Sequence, residues 1–347
     1  MIRFDCDYGE GAHPLVLKKL ADTNLEQTPG YGEDIYCQQA GDMIRAACQK
    51  PQAAVHFLTG GTQTNLTVIA ALLRPHQGVL CAQSGHINVH ETGAIEAAGH
   101  KVLALPSTDG KLTAGQIEQA WHTHFSDDNR EHTVQPGMVF LSFPTEMGGI
   151  YTKQELDAIS RVCRRRGLPL YIDGARLGYG LCAPGCDLDL PSLAALCDAF
   201  YIGGTKQGAL FGEALVINSP ALGADFRYIM KQRGAMLAKG RLLGLQFIAL
   251  LEDGLYFSLA RHAVAQAMRI RQAVEQAGLP LLAPSCTNQQ FPIFPNTWLQ
   301  KLEEQFAFTP WGRVDKKHSA VRLCTSWATR PQDVDAFCQA IAAGPEQ

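Results

Sequence analysis

Seven short apolar runs, AVHFL, VLCAQ, KVLALP, MVFLSF, PLYID, DAFYIG and EALVI, follow one another between residues 54 and 217, most of them separated by stretches with helical spacing. Strands that alternate with helices in this way build βαβ units and a mostly parallel sheet. Such a sheet is covered on both faces, which explains strands that are apolar throughout rather than in alternation. The intervening segments carry their own start and stop signals. Thr152-Lys153-Gln154-Glu155 is a capping box, Leu156, Ile159, Val162 and Cys163 share one helix face, and Gly167 is the stop. Thr113 similarly starts a helix carrying Ile117, Ala120, Trp121 and His124. From about 220 to 275 the pattern is long and helical. A smaller α+β region follows from 276, with LPLLAP, QFPIF and AVRLCTSW as strands and a last helix presenting Val334, Phe337, Ala340 and Ile341.

A chain of 347 residues, 46% of them hydrophobic, fits a soluble protein with one large domain and a smaller one. The net charge of -3 leaves no basic surplus for a nucleic-acid partner. The run Arg164-Arg165-Arg166 ends a predicted helix, where it complements the dipole as a solvated face. The opening MIRFDCDYGEGAHP has early acidic residues and no apolar core, so no secretory signal is expected. No run reaches the ~18 apolar residues of a membrane span. Eleven cysteines without a CxxC pair are expected to be reduced thiols of a cytoplasmic protein. Cys182 and Cys186 have a spacing a metal could use, but no matching Cys/His pair follows and no metal is expected.

Ligands of open α/β sheets bind outside the carboxyl ends of the strands, and four features fall there. In TGGTQTNL, Gly60 and Gly61 feed a helix beginning near Thr62, whose free N–H groups suit a phosphate. The stretch is neither GxGxxG nor a P-loop, which argues against a nucleotide-binding oxidoreductase. Asp173 ends the strand of YIDGARLG, with Arg176 three residues on. Lys206 in YIGGTKQG follows a buried strand and lies among glycines that permit close approach of something bulky. His86 follows VLCAQ. Each alone reads as ordinary: a turn, a helix cap, a snorkelling lysine, a satisfied histidine. Together they meet one chemistry. A lysine amine forms a Schiff base with an aldehyde cofactor, an aspartate keeps its pyridine nitrogen protonated, and that ring is the electron sink for an α-carbanion. With a helix terminus for the phosphate and a histidine to stack on the ring, pyridoxal 5'-phosphate fits all four demands.

Through PGYGED, GGTQTNL, GHINVHETGA, IDGARLG, the lysine segment and AVRLCTSW, the chain resembles the threonine aldolases of the β-eliminating lyase group. The resemblance implies fold type I of the pyridoxal-phosphate enzymes, with an N-terminal arm (1–27) packing on the small domain, a large cofactor-binding domain (28–245), and a linking helix with a small C-terminal domain (246–347). Matched position by position, it implies that Lys206 forms the Schiff base and Asp173 pairs with the pyridine nitrogen. Arg176 would lie by the ring's 3-oxygen and the substrate carboxylate, and Arg322 would be the second carboxylate arginine. Gly61, Thr62 and Gln63 would hold the phosphate with Thr205 beside them, and His86 would stack on the ring and help move protons. His132 would be a second histidine near the substrate hydroxyl. Tyr31 would reach into a neighbouring subunit's site, implying a homodimer or homotetramer. The expected reaction is cleavage of a β-hydroxy-α-amino acid (L-threonine, L-allo-threonine or a phenylserine-like substrate) to glycine and an aldehyde. The alternative is β-elimination or transamination of another amino acid. The chain departs from the group's pattern at Cys6-Asp7-Tyr8, at Leu237 where relatives carry an arginine for the partner's phosphate (Arg233 or Lys239 being the substitutes), at Thr205, and in SFPTEMGG, which brings Glu146 to the substrate edge.

Overall fold

A computed structural model describes residues 1–344. The chain opens on a two-residue strand β1 (Ile2–Arg3), and the seven predicted runs then form β2 (Ala54–Leu58), β3 (Gln77–Ala82), β4 (Lys101–Leu105), β5 (Gln135–Ser142), β6 (Leu170–Asp173), β7 (Ala199–Gly203) and β8 (Glu213–Ile217). They make one seven-stranded sheet in the order β2-β8-β7-β6-β5-β3-β4. Only β8 runs against its neighbours, so its first residue, Glu213, lies at the edge where the other strands end.

Side chains alternate across this sheet into two separate cores. Leu80, Leu141, Ile172, Ile202 and Val216 face one, and Val79, Phe140, Tyr171, Tyr201 and Leu215 face the other. Both layers are therefore paid for by helices, as a parallel sheet requires. The helix Lys153–Arg166 has the predicted capping box, with Thr152 and Glu155 each bonding the other's backbone N–H, and ends on Gly167 in the left-handed conformation. Its terminal arginines bond locally: Arg165 and Arg166 pair with Glu118, and the Arg166 guanidinium lies 4.0 Å over the Trp121 ring.

The apolar stretch from Arg241 to Gln276 is two helices, Arg241–Leu251 and Leu255–Gln276, broken where Asp253 and Gly254 take left-handed conformations. The first gives Phe247, Ile248, Ala249 and Leu250 to the large core, and the second carries Ile270 and Val274 into the small one. Around that small core lie β9 (Gln289–Gln290), β10 (Ile293–Pro295), β11 (Phe306–Ala307), β12 (Thr309–Arg313) and β13 (His318–Cys324). Two expectations need correction. LPLLAP makes only an isolated bridge, Leu281 to Pro292, because flanking prolines lack ladder donors. TPWGR was not expected as a strand, yet β12 pairs along β13 with a register shift between Pro310 and Gly312. The N-terminus joins this region: β1 pairs with β11, and Phe4 packs against Phe306 and Phe337.

Candidate active site

Six chain segments bring their polar residues to the carboxyl edge of the sheet. β6 delivers Asp173, 5% exposed, and its carboxylate is held at both oxygens, with acceptor capacity left on Oδ2. Oδ1 accepts from Tyr201 Oη (2.5 Å) and the Ala175 N–H (2.9 Å), and Oδ2 accepts from Asn65 Nδ2 (2.9 Å). The same Asn65 amide donates to Glu91 Oε1 (2.7 Å), while Tyr171 Oη donates to Asn65 Oδ1 (2.8 Å). Glu91 in turn holds His86 Nδ1 at 2.7 Å. Burial would lower the His86 pKa, but the bond to Glu91 and the charges of Asp173 and Glu91 outweigh it and raise the value. One buried chain thus runs from the imidazole to the aspartate.

Lys206 follows β7 on a loop closed by close backbone contacts: a Cβ on Gly203 would lie 2.5 Å from the Ala175 carbonyl, and one on Gly204 2.7 Å from that of Gly212. Burial and the nearby Arg176 lower the lysine's pKa against the opposing pull of Asp7, Asp173 and Glu213. A larger fraction of the amine is therefore neutral, the form a nucleophile needs. Beside it, Glu213 accepts from the Gly204 N–H (3.1 Å) and from Thr205 Oγ1 (2.9 Å), and burial pushes its pKa up to about 8. The Thr205 hydroxyl also accepts the Gly212 N–H (3.0 Å). The hydroxyl expected beside a phosphate is thus engaged in closing the lysine loop.

β2 ends in Thr59-Gly60, and the 12-residue helix Gly61–Leu72 begins at once. The N–H groups of Gly61, Thr62 and Gln63 belong to the first turn, which has no intrahelical acceptors. A Cβ on Gly60 would meet nothing within 4 Å, so there is room over this terminus. The Gln63 side chain folds back, its Oε1 accepting from Thr59 Oγ1 at 2.7 Å, which leaves its backbone N–H as the group facing outward.

A cavity of roughly 560 Å³ opens above Lys206, lined among others by Tyr8, His86, Glu146, Arg176, Trp311 and Arg322. Arg176 is gripped by Asp7, Nε to Oδ2 at 2.6 Å and Nη2 to Oδ1 at 3.0 Å. Burial would raise the Asp7 pKa, but Arg176 and Lys206, with hydrogen bonds from Arg176 and Asn288, bring it down to about 2. Arg322 comes from β13; its Nη2 donates to the Asp5 carbonyl and Thr309 Oγ1, both at 3.3 Å, and its guanidinium lies 5.3 Å from the Trp311 ring centroid. Its buried Nε has no hydrogen-bond partner among the described residues. The same holds for Nε2 of Gln289, which also lines the cavity and is 1% exposed. Glu146, after β5, accepts from Ser142 Oγ (2.6 Å) and the His86 N–H (2.8 Å).

Lys206, Asp173, Arg176, Arg322, His86 and Glu146 therefore meet. His132 does not: it lies beyond the far end of β5, a strand of eight residues, roughly 25 Å in length, whose other end is at the site. Within its own chain it cannot attend a substrate here. Tyr31 also lies away from this cavity; it is 45% exposed, with Lys231 Nζ 4.4 Å over its ring. Sequence reasoning missed Asn65, Glu91, Glu213, Gln289 and Asp7. Only Glu213 left a signal, an acid opening the apolar run EALVI; Asn65, Glu91, Gln289 and Asp7 sit in polar stretches that mark none of them out.

Comparison with known proteins gives the family. The beta-eliminating lyase family profile matches residues 14–296. A low specificity L-threonine aldolase of Pseudomonas aeruginosa is 31% identical over 292 residues, 83% of each chain. The solved structure of a Leishmania major threonine aldolase superposes with a TM-score of 0.96 at 44% identity over 99% of both chains. An aspartate aminotransferase of Thermus thermophilus, at 14% identity, TM-score 0.71 and coverage of 99% and 91%, shares the fold.

Proposed function

The chain belongs to the beta-eliminating lyase family, and from that premise we propose that it is a pyridoxal 5'-phosphate-dependent aldolase cleaving L-threonine-type β-hydroxy-α-amino acids to glycine and an aldehyde. The observation that carries the reading is one cavity in which Lys206 stands between the buried Asp173–Asn65–Glu91–His86 chain and two guanidiniums, Arg176 and Arg322. The residues fit the cofactor. The first turn at Gly61, Thr62 and Gln63, with open space over Gly60, suits its phosphate. Asp173, held by three donors, suits a protonated ring nitrogen, and the Glu91-tethered imidazole of His86 offers a face for stacking.

When bound, the cofactor supplies an electron sink for the pair released at Cα. The chain's own residues do the rest. Lys206 Nζ, with its lowered pKa, would hold the cofactor's aldehyde carbon and would give up that bond to the substrate's amine, leaving as a free amine. Arg322 Nε and Gln289 Nε2 are donors awaiting an acceptor, and a substrate carboxylate answers both, with Arg176 alongside. Anchoring the carboxylate fixes which bond at Cα stands perpendicular to the ring, and so selects Cα–Cβ over Cα–H. Trp311 and Tyr8 wall the cavity where the aldehyde part would sit. Tyr31, exposed and outside its own chain's cavity, is proposed to complete a neighbouring subunit's site in a homo-oligomer. Purified protein loaded with cofactor and given L-threonine, L-allo-threonine and phenylserine should release glycine from at least one. A 2-oxo acid with ammonia but no glycine (2-oxobutanoate from the threonines, phenylpyruvate from phenylserine) would make it a β-eliminating enzyme instead.

A further inference from the structure

Cleavage of a β-hydroxy amino acid requires a group that accepts the β-hydroxyl proton, and three cavity residues compete for that role. His86 is committed through Nδ1 to Glu91 and is held toward its protonated form. His90 lies at the mouth, its ring centroid 6.5 Å from that of Trp311, on the exposed side of a short helix. Glu146 differs from both. It is 9% exposed, lines the cavity, and has one oxygen fixed and one free: Oε1 takes both the Ser142 hydroxyl and the His86 N–H, while buried Oε2 has no partner among the described residues. A buried carboxylate oxygen left unanswered is costly unless a ligand donor completes it.

We propose that Glu146 Oε2 is the acceptor of the substrate's β-hydroxyl proton, an assignment that rests on the aldolase reading above. The proton passes from the hydroxyl to Oε2, the O–H pair becomes the aldehyde C=O, and the Cα–Cβ pair stays with the glycine fragment. That proton, or one exchanged for it with water, then adds to Cα as the second C–H bond of glycine, in place of the broken Cα–Cβ bond, so the reaction balances with no co-reactant. Two further features favour this acceptor. The two donors on Oε1 fix the carboxyl plane, and burial, despite the Ser142 bond, raises its pKa, which makes it a better base than a solvated carboxylate.

The test compares a ligand that has the hydroxyl with one that lacks it, using the cofactor-loaded protein. Glu146→Gln should leave the visible absorbance and the glycine affinity, read by spectral titration, within about threefold of the parent. It should lower kcat for L-threonine by about 10²–10⁴-fold, and Glu146→Asp should recover part of the loss. Loss of glycine binding together with threonine cleavage would assign Glu146 a structural role and overturn the inference. So would retained cleavage in Glu146→Gln, or a loss of this size in His90→Asn alone. If the parent protein itself binds neither cofactor nor glycine, the aldolase reading fails instead, a result distinguishable from every outcome in the variants.

Discussion

The floor and the wall of the cavity are built on opposite principles. On the floor, every polar atom of Asp173 and the Asn65 amide is answered by another protein group, and along the chain that ends at His86 the one buried atom left without a partner, among the described residues, is Glu91 Oε2. On the wall, Arg322 Nε, Gln289 Nε2 and Glu146 Oε2 are buried without partners among the described residues. A satisfied network is rigid and expensive to disturb, whereas orphaned donors and acceptors gain most when a ligand arrives. The difference teaches which surface is made for a resident group and which for a molecule that comes and goes.

Breaking the floor should cost most. Lys206→Ala is expected to abolish the visible absorbance of the loaded protein and lower turnover by at least about 10⁴-fold; measurable turnover at parental level would sink the assignment. Asp173→Asn leaves Tyr201 and Asn65 facing an amide where a buried carboxylate stood. Removing the fixed charge that would face the ring nitrogen takes away electrostatic stabilisation of the reacting state and should lower kcat by about 10²–10³-fold. The cofactor's affinity and spectrum should change with it.

The wall should yield a different signature. Arg322→Gln is expected to weaken glycine binding by about 10–100-fold while the absorbance of the loaded protein before glycine is added stays near that of the parent. A spectrum as disturbed as that of Asp173→Asn would erase the distinction between the two surfaces.

Asp7 joins floor to wall through Arg176, and its effect is read in stability. Its folded pKa of about 2 lies below the ordinary value of about 3.8, so its contribution is complete above that ordinary value and is lost as pH falls toward 2. The shift corresponds to about 2–3 kcal/mol at neutral pH. Asp7→Asn should lower Tm at pH 7, and the gap between variant and parent should close as the pH approaches 2. Glu213 acts with the opposite sign. Its folded pKa of about 8 lies above the usual carboxyl range, so its contribution is complete at acid pH and is lost as pH rises through 8. Glu213→Gln should flatten the fall in Tm between pH 6 and 9; an unchanged slope would show that the acid is already ionised.

All seven strands of the large sheet were legible in the sequence, because strands buried on both faces leave unbroken apolar runs. So were Asp173, Lys206 and His86, since strand ends in such a sheet converge. The connecting residues were not. Asn65 meets Asp173 across 108 residues and Asp7 meets Arg176 across 169, and no local pattern encodes a contact at that range. The resemblance implied Thr205 as a phosphate neighbour; its hydroxyl bonds Glu213, which sits on the one antiparallel strand of the large sheet and enters the edge from the opposite direction. His132 failed for a simpler reason: its distance from the site is set by the length of β5, which an alignment of motifs does not measure.

The pairing of the first residues with the last strands sets an order on the making of this protein. Ile2 and Phe4 bond to Gln305 and Ala307, and the Cys324 N–H bonds back to the Phe4 carbonyl. Ile2 and Phe4 must therefore wait until some three hundred further residues have been added before they find their strand partners. Until residue 324 has been made and docked, the segment bearing Asp7 is not held in place beside Arg176. The last strand of the large sheet ends at Ile217, yet the Arg176 guanidinium gains its fixed counter-charge only once the strands around residues 305–324 have been added.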